Sequence, residues 1–533
     1  MQRRLTLFAA AALLGVIGLA PVLGMVARSF LFEGAFSLRA YQALLSSGAQ
    51  PLRWMGQSLL LSSYVTILAT TAGVALGILL GKTDVPWRGA LITAFSAPLL
   101  IPPYVLAVAW SAVVGPTGWI THAIGADAAR LLTSWLFGLY GCAGVLFTAF
   151  MPVVMLLTIV YVGAVNPRLE DAGRLVSRWP GVLRRVTLPL IAPAIVLGAV
   201  VVFLLTLGEV GAPTYLRYHV YPVEIMTQFA AFYDFGAATA AAMPLLMITL
   251  AIVAVEYGLL ERRVSELRTL AFGTQSRSRI RLGRWRRPLF VLAFAWMLVT
   301  VALPIANLLA QSASLAAYAE AFARTGGSIL RSLGYALVGA SLLTPIGFAC
   351  GYFIQRRTLP LWRGMDALAL LLFTLPGSVI GIGLISLWNT PATEVVYRTS
   401  AIVILGYLAQ YIVLPTRMTA AMVERIPPSL EHAAQLCGAS WFTIVVRIVA
   451  PLAARGLIAA WAVSYVFCMR DLGVSIVVYP PGSDTLPVRI MTLMANGAPD
   501  LVAALCIILI AVTLLPLGAV ALWLGRVERR SRA

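Results

Sequence analysis

Read for the alternation of apolar and polar positions, the chain is a series of long apolar runs separated by short polar breaks. About 20 apolar residues suffice to cross a hydrocarbon core of roughly 30 Å as a helix. Twelve stretches reach that length: 5–27, 58–81, 89–114, 135–164, 190–212, 237–260, 288–311, 328–354, 364–388, 400–422, 453–479 and 500–524. The pattern predicts an all-α polytopic membrane protein with about twelve transmembrane helices. Arg3 and Arg4 ahead of the first run would also suit a secretory signal. That run exceeds the roughly 7–15 apolar residues of a signal core, so a retained helix is expected.

The polar breaks are unequal. One, Glu261 to Pro288, carries nine Arg against two Glu and reads as a solvated connector. It divides the chain into a first half, 1–262, a basic linker, 263–287, and a second half, 288–533, with six runs in each half. Two other breaks resemble each other: RLEDAGRLVSRWPGVLRRVTLPL from Arg168 to Leu190 and SLEHAAQLCGASWFTIVVRIVAPL from Ser429 to Leu452. Each opens with Leu-Glu, and each meets the next apolar run at a proline, Pro189 or Pro451. The duplication continues downstream, where Gly208-Glu209-Val210-Gly211 answers Arg470-Asp471-Leu472-Gly473 and YPVEIMTQFA from Tyr221 answers LPVRIMTLMA from Leu486. An even number of spans per half makes the halves parallel repeats, with a pathway expected between them.

Composition agrees: 60% hydrophobic and 11% charged residues lie far from soluble averages of roughly 45–50% and 25%. The net charge of +19 would suit a nucleic-acid partner if it were spread evenly. With the N-terminus inside, all of the excess falls on the inner face and the outer face balances to zero. The basic charge therefore predicts topology, with both termini cytoplasmic, and implies no nucleic acid.

Candidate chemistry is sparse. Cys142, Cys350, Cys437, Cys468 and Cys506 form no paired motif and read as small apolar packing residues. His122, His219 and His432 are far apart, so no metal or nucleophile constellation stands out. GILLGKT, Gly77 to Thr83, is one residue too short for a phosphate-binding loop and closes an apolar run. Pro102, Pro103 and Pro376 lie inside runs, where each frees a backbone carbonyl that a neighbour or a cavity must satisfy. They are candidates for a hinge, a pathway lining (Pro103, Pro376) or a packed kink. Glu209 and Asp471, ionisable groups in apolar surroundings, are candidates for the pathway of a cationic substrate. A structural ion pair between Arg470 and Asp471 is the alternative.

The two related breaks each offer a short amphipathic helix with an acid near its start, where the helix dipole favours it. In the second, Gly438, Ala439 and Ser440 break the helix and let another backbone approach. Such a segment suits docking into a partner's groove or resting on lipid headgroups. EHAAQLCGAS, with Pro451 thirteen residues after its Gly, resembles the E-A-A-x-x-x-G signature of the membrane subunits of binding-protein-dependent ABC importers. Glu431, Ala433, Ala434 and Gly438 match it, and His432 occupies a position often filled by Glu or Ala. The first copy departs: Glu170 and Ala172 are kept, Asp171 and Gly173 replace Ala-type positions, and Val176 or Ser177 stands where Gly is expected.

The fused six-plus-six arrangement resembles the Fbp-type ferric-iron permeases and the thiamine permeases, and Arg470 to Met491 is more similar to the iron branch. The resemblance implies a type I importer permease of the bacterial inner membrane and no enzymatic activity. The loops 168–190 and 429–452 would dock two copies of an ATPase subunit, which alone holds ATP and Mg. An extracytoplasmic solute-binding protein would deliver the substrate, ferric iron or else thiamine, phosphonate or polyamine, and the chain itself would bind no cofactor. An ion-gradient-driven secondary transporter shares the twelve-span pattern but has no use for paired docking loops. A membrane-embedded enzyme would need more convergent titratable groups than Glu209, Asp471 and Glu256 supply.

Overall fold

The computed structural model describes residues 12–532 apart from 33–34, 47, 117, 119, 122–125, 233, 272–278 and 358–361. Arg3, Arg4, His122, the side chain of Glu256 and the middle of the linker lie outside the described residues. Among the described residues the fold is all-α, apart from an antiparallel pairing of Leu31–Phe32 with Ala35–Phe36 and a single bridge between Thr83 and Ile280.

Among the described residues nine helices are long and apolar enough to cross a membrane, and three further segments pass as bent pairs. These pairs are Arg88–Leu100 with Pro103–Val114, bent by 104°, Trp362–Thr374 with Gly377–Trp388, bent by 109°, and Ala401–Tyr411 with Val413–Val423, bent by 45°. Side-chain contacts decide whether each pair crosses. Lys82, at the end of the helix Gln50–Lys82, touches Glu170 in the first polar loop, so both lie on one face. Among the described residues the candidate spans between them are only the first bent pair and the helix Leu139–Ala164, so that pair must cross. Arg356 touches Glu431 in the second loop, so the two intervening pairs cross together or not at all, and their equivalence in the repeat to the first bent pair and to Leu139–Ala164 makes both crossings. Twelve crossings result, with both polar loops on one face.

The sequence runs of spans five and eleven, 190–212 and 453–479, place their ends too late. The helices stop at Leu207 and Met469 and resume as the short turns Gly211–Tyr215 and Ser475–Val478. Their starts are earlier than hydropathy suggests, because the tail of each polar loop, from Trp179 and from Trp441, is continuous with the span.

That continuity depends on a π turn. Leu183–Thr187 and Val445–Val449 are π-helical, and so are Gly15–Leu19 and Leu298–Ala302 in spans one and seven. Each π turn ends two residues before a proline: Pro189, Pro451, Pro21 and Pro304. A proline lacks the N–H that closes the helical bond and crowds the carbonyl four residues earlier. Widening that turn moves the carbonyl aside and keeps the span unbroken.

The second and eighth spans share a further pattern, Gly73-x3-Gly77-x4-Lys82 and Gly347-x3-Gly351-x4-Arg356. The glycines admit a neighbouring backbone. A Cβ at Gly77 would lie 2.5 Å from Thr158 Cβ, one at Gly347 2.5 Å from Pro415 Cγ, and one at Gly351 2.3 Å from the Thr416 carbonyl oxygen. Small-residue packing of this kind brings membrane helices together where burial from water cannot. The phosphate-loop-like GILLGKT is part of this seam.

The halves are interlocked by their first helices. Ala20–Ser29 packs on Gly377–Trp388 of the second half, where a Cβ at Gly383 would come within 2.9 Å of the Pro21 carbonyl oxygen. Reciprocally, Leu303–Gln311 of the second half packs on Pro103–Val114 of the first. At the linker, Ile280 bridges to Thr83 and the Leu282 N–H donates to Asp84 Oδ1 at 3.0 Å.

The glycine seam gives a direct test. Gly351→Ala should lower the thermal midpoint in detergent, with a loss on the order of 1–3 kcal/mol from overpacking. Gly56→Ala, where a Cβ meets nothing within 4 Å, should leave it unchanged or higher. Equal midpoints for the two variants would refute the seam.

Candidate functional site

Two constructions stand out: the paired loops on one face and a cavity between the halves. In the first loop Asn166 caps the helix Pro167–Val176 by accepting from the Arg168 N–H at 3.1 Å. In the second the helix Pro428–Leu436 ends in a Schellman turn: the Gly438 N–H donates to the Gln435 carbonyl at 2.9 Å and the Ala439 N–H to the Ala434 carbonyl at 3.0 Å. Gly438 sits at φ +79 with open space around its α-carbon, so glycine is needed there for its backbone conformation. The first loop turns without such a residue, through extended Ser177, which accounts for its being one residue shorter.

The two glutamates of the loops point away from the exposed surface. Glu170 is fully buried, with Lys82 Nζ at 2.5 Å from Oε2 and the Thr187 hydroxyl donating to Oε1 at 3.0 Å. Glu431 is 7% exposed; the Tyr352 hydroxyl donates to Oε2 at 2.7 Å, and Arg356 Nε donates to Oε1 at 2.8 Å. Arg356 also donates to the Ile426 carbonyl at 2.9 Å. Each loop is thereby anchored to the end of the span two or span eight helix. Trp441 stacks on Phe353 at 6.1 Å, while in the first loop Arg174 lies 4.9 Å over the Trp179 ring.

The anchored acids turn other residues outward. Asp171, Ala172, His432, Ala433 and Gly438 are exposed, whereas Gly173 and Ala434 are half-buried against the loop's second helix. Apolar tips that the loop sequences alone did not single out are also exposed: Leu175 and Val176 at 88% and Leu436 at 90%. Their signal was an apolar residue five positions after each anchoring glutamate.

The cavity, of about 100 Å³, brings together all four sequence-predicted pathway residues, Glu209, Asp471, Pro103 and Pro376. It forms where the broken spans three and nine meet the ends of spans five and eleven, and the contacts cross between halves. Gly208, ending span five, lies against Pro376, where a Cβ would be 3.1 Å from the proline Cα. In the repeat-equivalent position Arg470, ending span eleven, donates through Nη1 to the Leu99 carbonyl. Leu99 is the residue whose helical partner would be the N–H that Pro103 lacks. At the other break Gln410 Nε2 donates to the Phe373 and Leu375 carbonyls at 3.1 and 3.0 Å.

Arg470 and Asp471 make no ion pair. Asp471 accepts from the Tyr411 hydroxyl at 2.6 Å and from the Ser475 hydroxyl and N–H at 2.7 and 2.9 Å. Glu209 accepts through Oε1 from the Gly211 N–H at 3.1 Å.

Comparison with known proteins agrees with this architecture. Residues 343–532 match the family of binding-protein-dependent transport system inner membrane components. The chain is 25% identical over 492 residues to a putative ferric transport system permease protein FbpB 1 of Haemophilus influenzae, covering 88% of this chain and 76% of the relative. It is 24% identical over 455 residues to the ferric transport system permease protein FbpB of Actinobacillus pleuropneumoniae, covering 81% and 65%. A shorter match, 37% over 107 residues, joins it to a putative 2-aminoethylphosphonate transport system permease protein PhnV of Salmonella choleraesuis, covering 20% and 40%. The chain thus resembles Fbp-type ABC importer permeases over most of its length, and its twelve-span helical fold is of the type I importer kind.

The anchors are separable from the exposed surface by substitution. Removing one partner of a buried ion pair costs on the order of 3–5 kcal/mol, while replacing both with apolar groups is often neutral. Lys82→Met should therefore lower the thermal midpoint, and Lys82→Met with Glu170→Leu should recover it. If the double variant melts no higher than the single one, Lys82 does not act through Glu170.

Proposed function

We propose that the chain is the membrane permease of a binding-protein-dependent ABC importer and that its cargo is ferric iron. The observation that carries this reading is the duplicated loop: on one face, each half presents a helix fixed by a buried glutamate–cation bond with an exposed apolar tip. Such a pair suits two copies of one partner, an ATPase subunit holding ATP and Mg. The length of the match to ferric permeases favours iron. The local match to a phosphonate permease favours 2-aminoethylphosphonate as a second reading.

The mechanism follows from how each loop is tied. A loop pulled by its ATPase drags span two or eight through the Glu170–Lys82 or Glu431–Arg356 bond, and drags span five or eleven through the π turn. Spans five and eleven end at the cavity, so drawing the loops together on ATP binding moves the cavity walls. A partner shifts such an equilibrium only by preferring one state. The delivering solute-binding protein should therefore bind best to the ATP-bound, outward-facing form. The loop face is the cytoplasmic face of a bacterial inner membrane, in keeping with its excess of Arg and Lys.

Co-purification with its ATPase should give two ATPase copies per chain. Leu436→Asp should release one copy and lower ATP-driven uptake of ferric iron, and Leu175→Asp in addition should release both. Undiminished ATPase capture by the double variant would refute the docking surface. Uptake of aminoethylphosphonate without iron would replace the cargo.

A further inference from the structure

We propose that the cavity between the halves is a transit site for a hard, oxygen-seeking metal cation, with Glu209 as its principal ligand. The inference deepens the ferric-import reading and rests on it for the identity of the ion. Three features lead to it. First, the guanidinium on the cavity lining bonds neither carboxyl: Arg470 caps the freed Leu99 carbonyl and stacks 5.0 Å over Phe467. Glu209 therefore spends only Oε1 on backbone N–H groups, and no described residue approaches Oε2 within hydrogen-bonding distance.

Second, two buried oxygens on the same cavity wall lack partners. Tyr104, 1% exposed, leaves its hydroxyl unbonded, and Gln410, 7% exposed, leaves Oε1 unbonded while Nε2 is committed to two carbonyls. Buried polar atoms are otherwise almost always paired, so two orphans on the lining that also carries the open carboxyl oxygen mark a place for a ligand. Third, the donors are all oxygen, from carboxyl, phenol and amide, with no sulfur or imidazole on the lining. That set suits hard cations. A cavity of about 100 Å³ has room for an ion with a few waters.

The site is built to release as well as to bind. Asp471, the second carboxyl, is already satisfied by Tyr411 and Ser475, and the Arg470 charge lies on the same lining. A conducting site must bind strongly enough to admit its ion and weakly enough to let it go.

The test uses terbium(III), a hard cation whose emission is sensitised by nearby phenols, added to the purified full chain in detergent. Glu209→Gln keeps an amide oxygen to accept from the Gly211 N–H and removes the carboxyl. It should weaken the tyrosine-sensitised terbium signal by at least about tenfold, as loss of a metal-site group does, with an unchanged thermal midpoint. Tyr104→Phe should reduce the emission without altering the fold, and it serves as the second variant if Glu209→Gln misfolds. Terbium binding indifferent to both substitutions would overturn the site.

In vesicles carrying the ATPase and binding protein, Glu209→Gln should cut uptake of iron supplied as ferric citrate while ATP hydrolysis continues. Iron uptake at the wild-type rate would overturn the site and leave the permease reading intact. If the wild-type chain imports aminoethylphosphonate and no iron, the cargo reading fails; Glu209-dependent terbium binding would then still uphold the site.

Discussion

A backbone carbonyl freed inside a membrane has no water to bond, and the fold is arranged around this constraint. Pro103 and Pro376 break two spans at about right angles, and each break leaves carbonyls without helical partners. The second half answers within itself, through Gln410 on the Phe373 and Leu375 carbonyls. For the first half the answer comes from across the interface, through Arg470 on Leu99. The bond that repairs a broken helix is therefore also a bond between halves, and it lies on the wall of the cavity that the breaks create.

The same economy governs the loops. An exposed ion pair between loop and span would contribute little, roughly 0–1 kcal/mol, and would leave the loop free to swing. Buried, with a hydroxyl completing each carboxylate, the pairs at Glu170 and Glu431 fix the direction of each loop helix. From loop to cavity the chain is then continuous through covalent helix on one side and through a buried anchor on the other. The halves differ in the quality of this anchor. Lys82 is a single point contact, while Arg356 and Tyr352 share Glu431 and Arg356 holds the Ile426 carbonyl as well. With a left-handed glycine, Gly438, in one loop and none at the turn of the other, the second loop is the more firmly built.

Much of this was legible in the sequence. Apolar length gave the spans, because a membrane sets the length of a helix that crosses it. The offset repeats gave the two halves, and the polar islands gave the loops. The sequence also marked Glu209, Asp471, Pro103 and Pro376 as unusual, since an acid or a proline in an apolar run has few innocuous explanations. Hydropathy was blind to three things. It could not show that spans three and nine turn by about a right angle at their prolines, because both arms of each are apolar. It placed the ends of spans five and eleven several residues too far on, because apolar turns follow each helix. It also gave no sign that the loop glutamates are buried, because their partners Lys82 and Arg356 lie more than seventy residues away.

By itself, then, the sequence determined which stretches are apolar enough to cross, that the chain is duplicated, and which residues are chemically out of place, all matters of composition along a line. Only the tertiary structure decided which way those residues face. It turned Glu170 and Glu431 inward and Leu175 and Leu436 outward. It drew Arg470 from its neighbour Asp471 to a carbonyl in the other half, and it left one oxygen of Glu209 open to the cavity. Those choices are made by long-range pairing of buried polar groups, and no local pattern records which partner will be within reach.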